Sequence, residues 1–202
     1  MYNTLIIGGG VAGMQCALVL GSAKDKPYAA NKKVGIVLHQ KASQLQTALF
    51  NNVLGLPKGK LGSDILKEGK EQLQDLYPHV DIIEKEKVTA VLDDEKGYKI
   101  ITNKNEYFSK NVVVALNYAK PFTIGGLEHY VEKHSSANPM KDRIQLRNFN
   151  HLIKEGLYVC GTIAGWRSQF AIAAGSGASV ATDILTVWND HNATKVHDKV
   201  SK

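Results

Sequence analysis

Residues 2–23 read YNTLIIGGGVAGMQCALVLGSA. Three glycines stand at the spacing G-x-G-x-x-G, at Gly8, Gly10 and Gly13. The apolar run before them suits a buried parallel strand, and residues 11–22, rich in Ala, Leu and Val, suit a helix. A strand, a glycine turn and a helix in that order form the setting of a dinucleotide-binding turn. Gly8 permits the tight turn, Gly10 admits a pyrophosphate to the backbone, and Gly13 lets the helix pack closely on the strand. The helix then directs its free N–H groups at phosphate. A glycine turn that serves packing alone is the alternative. A second strand, VGIVL (34–38), follows a polar loop, and there the pattern breaks. A ribose-binding carboxylate belongs at its end, but the chain has Leu38, His39 and Gln40. His39 is the nearest polar group and can give or take a hydrogen bond; a surface histidine is the alternative.

Working outward, residues 61–77 read as an amphipathic helix with Leu61, Ile65, Leu66, Leu73 and Leu76 on one side. VDII (80–83) is a third strand. KVTAVLDD (87–94), YKIITN (98–103) and EYFSK (106–110) are separated by turn signals and form an antiparallel meander. NVVVAL (111–116) and GLYVCG (156–161) are two further buried strands, with an irregular segment 117–156 between them. Residues 168–188 make a closing helix rich in small residues, and a polar, frayed tail follows from Asn189. The fold class is α/β: a Rossmann-like parallel sheet with helices, plus a three-stranded antiparallel meander as an extra layer. One domain spans 1–188, with the tail over 189–202.

The chain has 202 residues, 44% of them hydrophobic, enough for one domain with a sizeable core. It carries 25 Lys+Arg against 19 Asp+Glu. These lysines are scattered, as on a solvated surface, although docking of an acidic partner is the alternative. No basic helix is interleaved with aromatics, so nucleic acid is not an expected partner. The two cysteines, Cys16 and Cys160, form no CxxC pair and no metal-binding spacing; both suit the core. No signal peptide and no bilayer-spanning segment are read, which makes a cytoplasmic location the expectation.

The stretch GLYVCGTIAGWRSQFAIAAGSGASVATDIL (156–185) resembles the C-terminal FAD segment of thioredoxin reductase-like flavoproteins, in the FAD-dependent pyridine nucleotide-disulphide oxidoreductase family. There a strand ends in Gly-Asp and a helix follows with an Arg-Gln-Ala start and a Gly-x-x-Ala body. The stretch QLQTALFNNVLGLPKGKLGSDILKEGKEQL (44–73) resembles the same family's middle segment. The resemblance implies FAD and assigns roles. Gly8, Gly9, Gly10, Val11 and Ala12 hold the pyrophosphate, with Gly13 behind them. His39 is the polar group nearest the place of the family's ribose carboxylate. Gln44, Leu45 and Asn52 lie along the flavin, Val88 offers its backbone to adenine, and Ala115 lines the pocket. Gly161 and Thr162 sit by the ribityl chain. Gln169, Phe170 and Ala171 set a helix N-terminus against the flavin edge that gathers negative charge on reduction. A homodimer is implied as well, through a surface that includes PFTIGGL (121–127).

The chain departs from the family pattern in four places. The ribose carboxylate is absent, Thr162 replaces an Asp, the Ala-Thr-Gly turn is Ala115-Leu116-Asn117, and 117–156 stands where the family inserts an NADPH-binding domain. Without that domain and a CxxC, thioredoxin reduction by dithiol exchange is not expected. Trp166, Arg167, Tyr118 and Lys120 are further candidates at the flavin, with plain loop roles as the alternative. Two functions follow: a small FAD-dependent oxidoreductase served by a redox partner protein or a small-molecule donor and acceptor, or a non-catalytic flavin-binding electron-transfer, sensor or scaffold protein. A pyridine-nucleotide binder is the third and least supported reading. No catalytic acid, base or nucleophile is singled out, and no metal site.

Overall fold

The computed structural model describes residues 1–40 and 43–197. The opening run forms β1 (Tyr2–Ile7), and the glycines pass the chain into α1 (Val11–Ser22). β2 (Val34–Leu38) is buried throughout. A short hairpin, β3 (Leu49–Phe50) and β4 (Lys60–Leu61), leads into α2 (Gly62–Leu76) and β5 (Asp81–Glu84). Next come β6 (Val88–Asp94), β7 (Gly97–Thr102) and β8 (Glu106–Val114). β9 (Val131–Lys133) pairs with β10 (Ile144–Leu146), and β11 (Leu152–Lys154) turns into β12 (Leu157–Val159). α3 (Phe170–Trp188) closes the fold.

The main sheet runs β11-β12-β8-β1-β2-β5, and the strands from β12 to β5 are parallel. Side chains alternate across it. Ile6, Ile36 and Val113 point to one face, where Leu20 of α1 and Ile184 and Leu185 of α3 cover them. Leu5, Ile7, Val112 and Val114 point to the other, where they meet Ile100, Ile144, Leu146 and Ile163. Both faces are thus covered, which is why these strands are apolar without alternation. The two cover helices touch backbone to backbone: a Cβ on Gly177 would lie 2.0 Å from the Ala12 carbonyl oxygen.

Several expectations are corrected. EYFSK and NVVVAL are not two strands but the single β8. Its first half pairs antiparallel with β7 and its second half parallel with β1 and β12, so Ser109 faces both Tyr98 and Tyr2. The meander is therefore an extension of the main sheet. The segment 117–156 is not irregular; it holds β9, β10 and β11, seated by Ile144 and Leu146 in the core. PFTIGGL is only partly exposed: Pro121, Thr123 and Gly126 are exposed, whereas Ile124 and Leu127 are buried and Gly125 bridges to Ala90 of β6. Finally, α3 is long and apolar enough to cross a bilayer by length and composition, with a mean hydropathy of 1.4. It nonetheless buries Ser176, Gly177, Val180, Ala181, Ile184 and Leu185 inside the fold.

The chain after α3 turns back on it instead of fraying. Thr194 Oγ1 donates to the Thr182 carbonyl at 3.3 Å, and Val196 packs against the core. The end of the expected tail, 198–202, lies outside the described residues.

Candidate functional site

A cleft of about 630 Å³ opens at the carboxyl ends of β1, β2, β8 and β12, the place where open parallel sheets bind ligands. Gly8, Gly9, Gly10, Val11 and Ala12 form one wall. Gly8 has φ +116°, and a Cβ there would strike the Ala115 carbonyl oxygen at 2.3 Å. Gly13 does not line the cleft; its Cβ would lie 1.9 Å from the Gly8 carbonyl oxygen, so it serves the close approach of α1 to the turn. Gly10 differs from both. A Cβ there meets nothing within 4 Å, so that backbone is open to whatever fills the cleft. Gln40 braces this turn from behind: its side-chain amide donates to the Gly9 carbonyl at 3.0 Å.

His39 follows β2, exposed at the cleft, which Lys87 and Val88 also line. Behind them Glu86 is buried at 7% exposure. Thr102 Oγ1 and Asn105 Nδ2 each donate to it at 2.7 Å, and the Tyr107 hydroxyl at 2.9 Å. Burial alone would raise the pKa of Glu86, but these three bonds, with Lys104 nearby, hold it below its ordinary value. The same contact and burial push the Tyr107 hydroxyl up.

Gln44 and Leu45 line the middle of the cleft, with Ala48 and Phe50. Phe50 meets Phe170 edge to face, ring centroids 5.2 Å apart. Ala115, Leu116 and Asn117 form the floor beyond β8. Gly161, Thr162, Gln169 and Phe170 form the far end, where α3 begins. Two helix N-termini therefore face one cleft. Neither Gly10 before α1 nor Gln169 before α3 supplies a side-chain cap, which leaves their first-turn N–H donors available to a ligand.

Fourteen of the expected positions thus come together. Gly13, Asn52 and Ala171 do not line the cleft. Asn52 is exposed on the turn between β3 and β4, where Asn51 holds the Gly59 N–H at 2.8 Å. Ala171 is exposed and faces away, because the helical period brings Ala173 to the cleft instead. Lys120 also lines it and pairs with Asp142 at 2.7 Å. Tyr118, Trp166 and Arg167 do not line it. Phe50, Lys87 and Phe122 join the site without any signal in the sequence. No aspartate, glutamate or cysteine lines the cleft among the described residues.

Both thiols are fully buried. Burial pushes Cys160 up to about 12 and Cys16 well above its ordinary value, with Cys160 adding to the latter. Neither is a thiolate near neutral pH, so neither is poised for exchange.

The sequence profile of the family described as pyridine nucleotide-disulphide oxidoreductase matches residues 2–177. No curated protein matches the chain. Among solved structures, a thioredoxin reductase from Gloeobacter violaceus superposes with a TM-score of 0.72 at 14% identity, over 100% of this chain and 99% of that one. The thioredoxin reductase from Lactococcus lactis gives 0.68 at 14%, over 94% and 100%. A ferredoxin-flavin thioredoxin reductase from Clostridium acetobutylicum gives 0.66 at 17%, over 94% and 98%. At such identities the likeness is one of fold.

Proposed function

Because the chain belongs to the pyridine nucleotide-disulphide oxidoreductase family, we propose that it is an FAD-dependent oxidoreductase of thioredoxin reductase-like type, working without its own NADPH domain or redox disulfide. One observation carries the reading: the glycine turn after β1 and the Gly161 turn before α3 line one cleft, each beside an uncapped helix N-terminus. The open space at Gly10 fits a pyrophosphate lying on the backbone. Among the described residues the charged side chains lining the cleft are Lys87 and Lys120, the second paired with Asp142, and no acidic side chain there would repel an anionic ligand.

When bound, FAD would supply the electron chemistry. The chain's own residues would orient it. The N-terminus of α1, with Gly8 to Ala12, would hold the pyrophosphate. His39 would face the ribose, Val88 the adenine, and Gln44 and Leu45 the ring system. Thr162 would reach the ribityl chain. The N-terminus of α3, at Gln169 and Phe170, would stabilise negative charge that collects on reduction.

A second reading has its own support. Among the described residues no carboxylate or thiol lines the cleft, which suits a flavin-binding electron-transfer, sensor or scaffold protein that does no bond chemistry. Between β8 and β12 the chain builds short strands and turns and no βαβ unit, so a nicotinamide would have to arrive from solution or through a partner. Remote contacts position a reacting group. Without them, NADH and NADPH should reduce the flavin slowly, with little preference and no saturation at low concentration.

Two measurements test this. The absorbance spectrum of the purified protein should show non-covalent FAD, released on denaturation; a colourless preparation that ignores added FAD overturns the cofactor. Stopped-flow reduction by each nucleotide then separates the two readings. Fast, saturable reduction with a strong preference for one nucleotide would mean that 117–156 or a second copy completes a nicotinamide site. The homodimer that the resemblance implies is tested by light scattering at micromolar concentration, where a monomer overturns it.

A further inference from the structure

The turn at Gly161 and Thr162 is gripped from two sides by buried histidines. On one side stands His134, at 4% exposure. Its Nδ1 accepts the Ser136 N–H at 3.1 Å, so the ring proton sits on Nε2, which donates to the Thr162 carbonyl at 3.0 Å. The Tyr118 ring lies beside His134, centroids 5.3 Å apart, and the Arg143 guanidinium lies over Tyr118 at 4.9 Å.

On the other side stands His151, at 6% exposure, with its Nε2 2.9 Å from Ser176 Oγ. Ser176 Oγ in turn accepts the Gly161 N–H at 2.8 Å. Trp166 stacks on His151 at 5.5 Å and 17°. Burial holds His151 below its ordinary pKa, against a backbone bond at Asn150 that raises it. A neutral ring can take the Ser176 hydroxyl proton at Nε2. Gly161 N–H, Ser176 O–H and His151 then form one directed chain, and every polar atom in it is satisfied.

We propose that His134 and His151 are positioning residues for the flavin, fixing the Gly161–Thr162 turn so that Thr162 meets the ribityl end of the cofactor. The proposal rests on the FAD reading above. Its physical reason lies in Thr162, which stands where the resembling family has an aspartate. A carboxylate offers two charged oxygens and tolerates a range of approach, whereas one hydroxyl bonds along a narrow set of directions. A turn that relies on the hydroxyl has to be held in place. Four elements hold this one: the segment before β9 through Tyr118, the turn after β9 through His134, the turn before β11 through His151, and α3 through Ser176.

The test uses Ser176→Ala, His134→Leu and His151→Leu, with His134→Gln and His151→Gln as conservative partners. FAD affinity is read by flavin fluorescence, the bound flavin's visible bands by absorbance, and folding by the urea midpoint of the apoprotein. Ser176→Ala and each Leu variant that folds should bind FAD about five- to tenfold more weakly, the size of one lost hydrogen bond, with displaced visible bands. The Gln variants, which keep a polar atom at that reach, should return to within about twofold. Ser176→Ala keeps the helix, so it decides the matter if the Leu variants fail to fold. Wild-type affinity and bands in Ser176→Ala overturn the proposal, as do Gln variants as impaired as the Leu variants, since bulk rather than bonding would then matter. If the wild type takes up no FAD, the cofactor reading itself falls, an outcome distinct from the other two.

Discussion

The turns at Gly8–Gly13 and at Gly161–Thr162 each end a parallel strand at the same cleft, yet they are held in different ways. The first is built from its own residues. Gly8 takes a conformation that side chains resist, Gly13 sits against the Gly8 carbonyl, and Gln40 braces the turn with its side chain. The second has positive φ at Gly161 and Gly165 and one backbone bond of its own, from the Gly165 N–H to the Thr162 carbonyl at 3.0 Å; its other polar groups go to Ser176, His134 and, through Ala164, Asn148. A turn made by glycines is a local property, carried by spacing. A turn made by distant side chains exists only once the rest of the domain has folded around it.

The comparison is broken most directly at Gly13. Gly13→Ala would press a methyl into a backbone carbonyl at 1.9 Å, where no flexible atom can give way. The urea midpoint should fall by the equivalent of about 3 kcal/mol, the upper range for overpacking. Normal stability would mean that the first turn is not set by its glycines.

Gly10→Val comes next and should separate binding from folding. Its side chain enters open space, so the urea midpoint should hold while FAD affinity drops by about a hundredfold, or about 2.7 kcal/mol. Full flavin occupancy in that variant would place the pyrophosphate elsewhere.

For the second turn, the matching change is remote. Asn148 donates to the Leu146 carbonyl at 2.7 Å and the Ala164 carbonyl at 3.2 Å, and accepts the His151 N–H at 3.1 Å. Asn148→Ala should cost about 2 kcal/mol in urea unfolding, as partners are left unpaired. It should also weaken FAD, although Asn148 does not line the cleft. An effect on stability alone would show that the second turn does not need its remote support for binding.

His39→Glu restores the ribose carboxylate at the first half of the site. FAD should bind about tenfold tighter by isothermal titration, equivalent to roughly 1.4 kcal/mol for a charged hydrogen bond at an exposed position. Unchanged or looser binding would take His39 away from the ribose.

The smallest effect is expected at Glu86, which lies behind Lys87 and Val88 at the cleft. Its folded pKa is held below the ordinary 4.5. Its contribution to stability is therefore complete above pH 4.5 and lost as pH falls through the depressed value. Glu86→Gln should be less stable than wild type at pH 7, and the gap in urea midpoint should narrow on acidification. A gap that is constant with pH would mean that the carboxylate charge plays no part.

What the sequence disclosed follows the same division. β1, α1, β2, α2 and β5 were legible because each carries its own periodicity or glycine signal, and Gly8 to Ala12 stand at the cleft as their spacing implies. The far end was legible only through resemblance, and there Gln169 and Phe170 reach the cleft while Ala171 faces away. Phe50 and Lys87 carry no local mark, since what brings them to the cleft is the hairpin at β3 and the start of β6. Residues 106–116 read as two strands because their composition changes from alternating to wholly apolar at Asn111. The backbone does not break there; only the neighbours change, from an antiparallel partner to parallel ones.

That shared strand has a consequence for the order of folding. β6, β7 and β8 are neighbours in sequence, so their pairing closes short loops and can form early. β1 is made before β8 at the ribosome but has to wait for it, since Tyr2 pairs with Ser109 and Ile7 with Val114. Until then Leu5, Ile6 and Ile7 have no parallel neighbour on that side. The meander thus delivers a finished template: when its last strand settles, the second half of β8 offers β1 a ready edge, and the glycine turn acquires its shape only at that moment. Pulse-labelled hydrogen exchange should find the amides of 98–109 protected before those of 4–8.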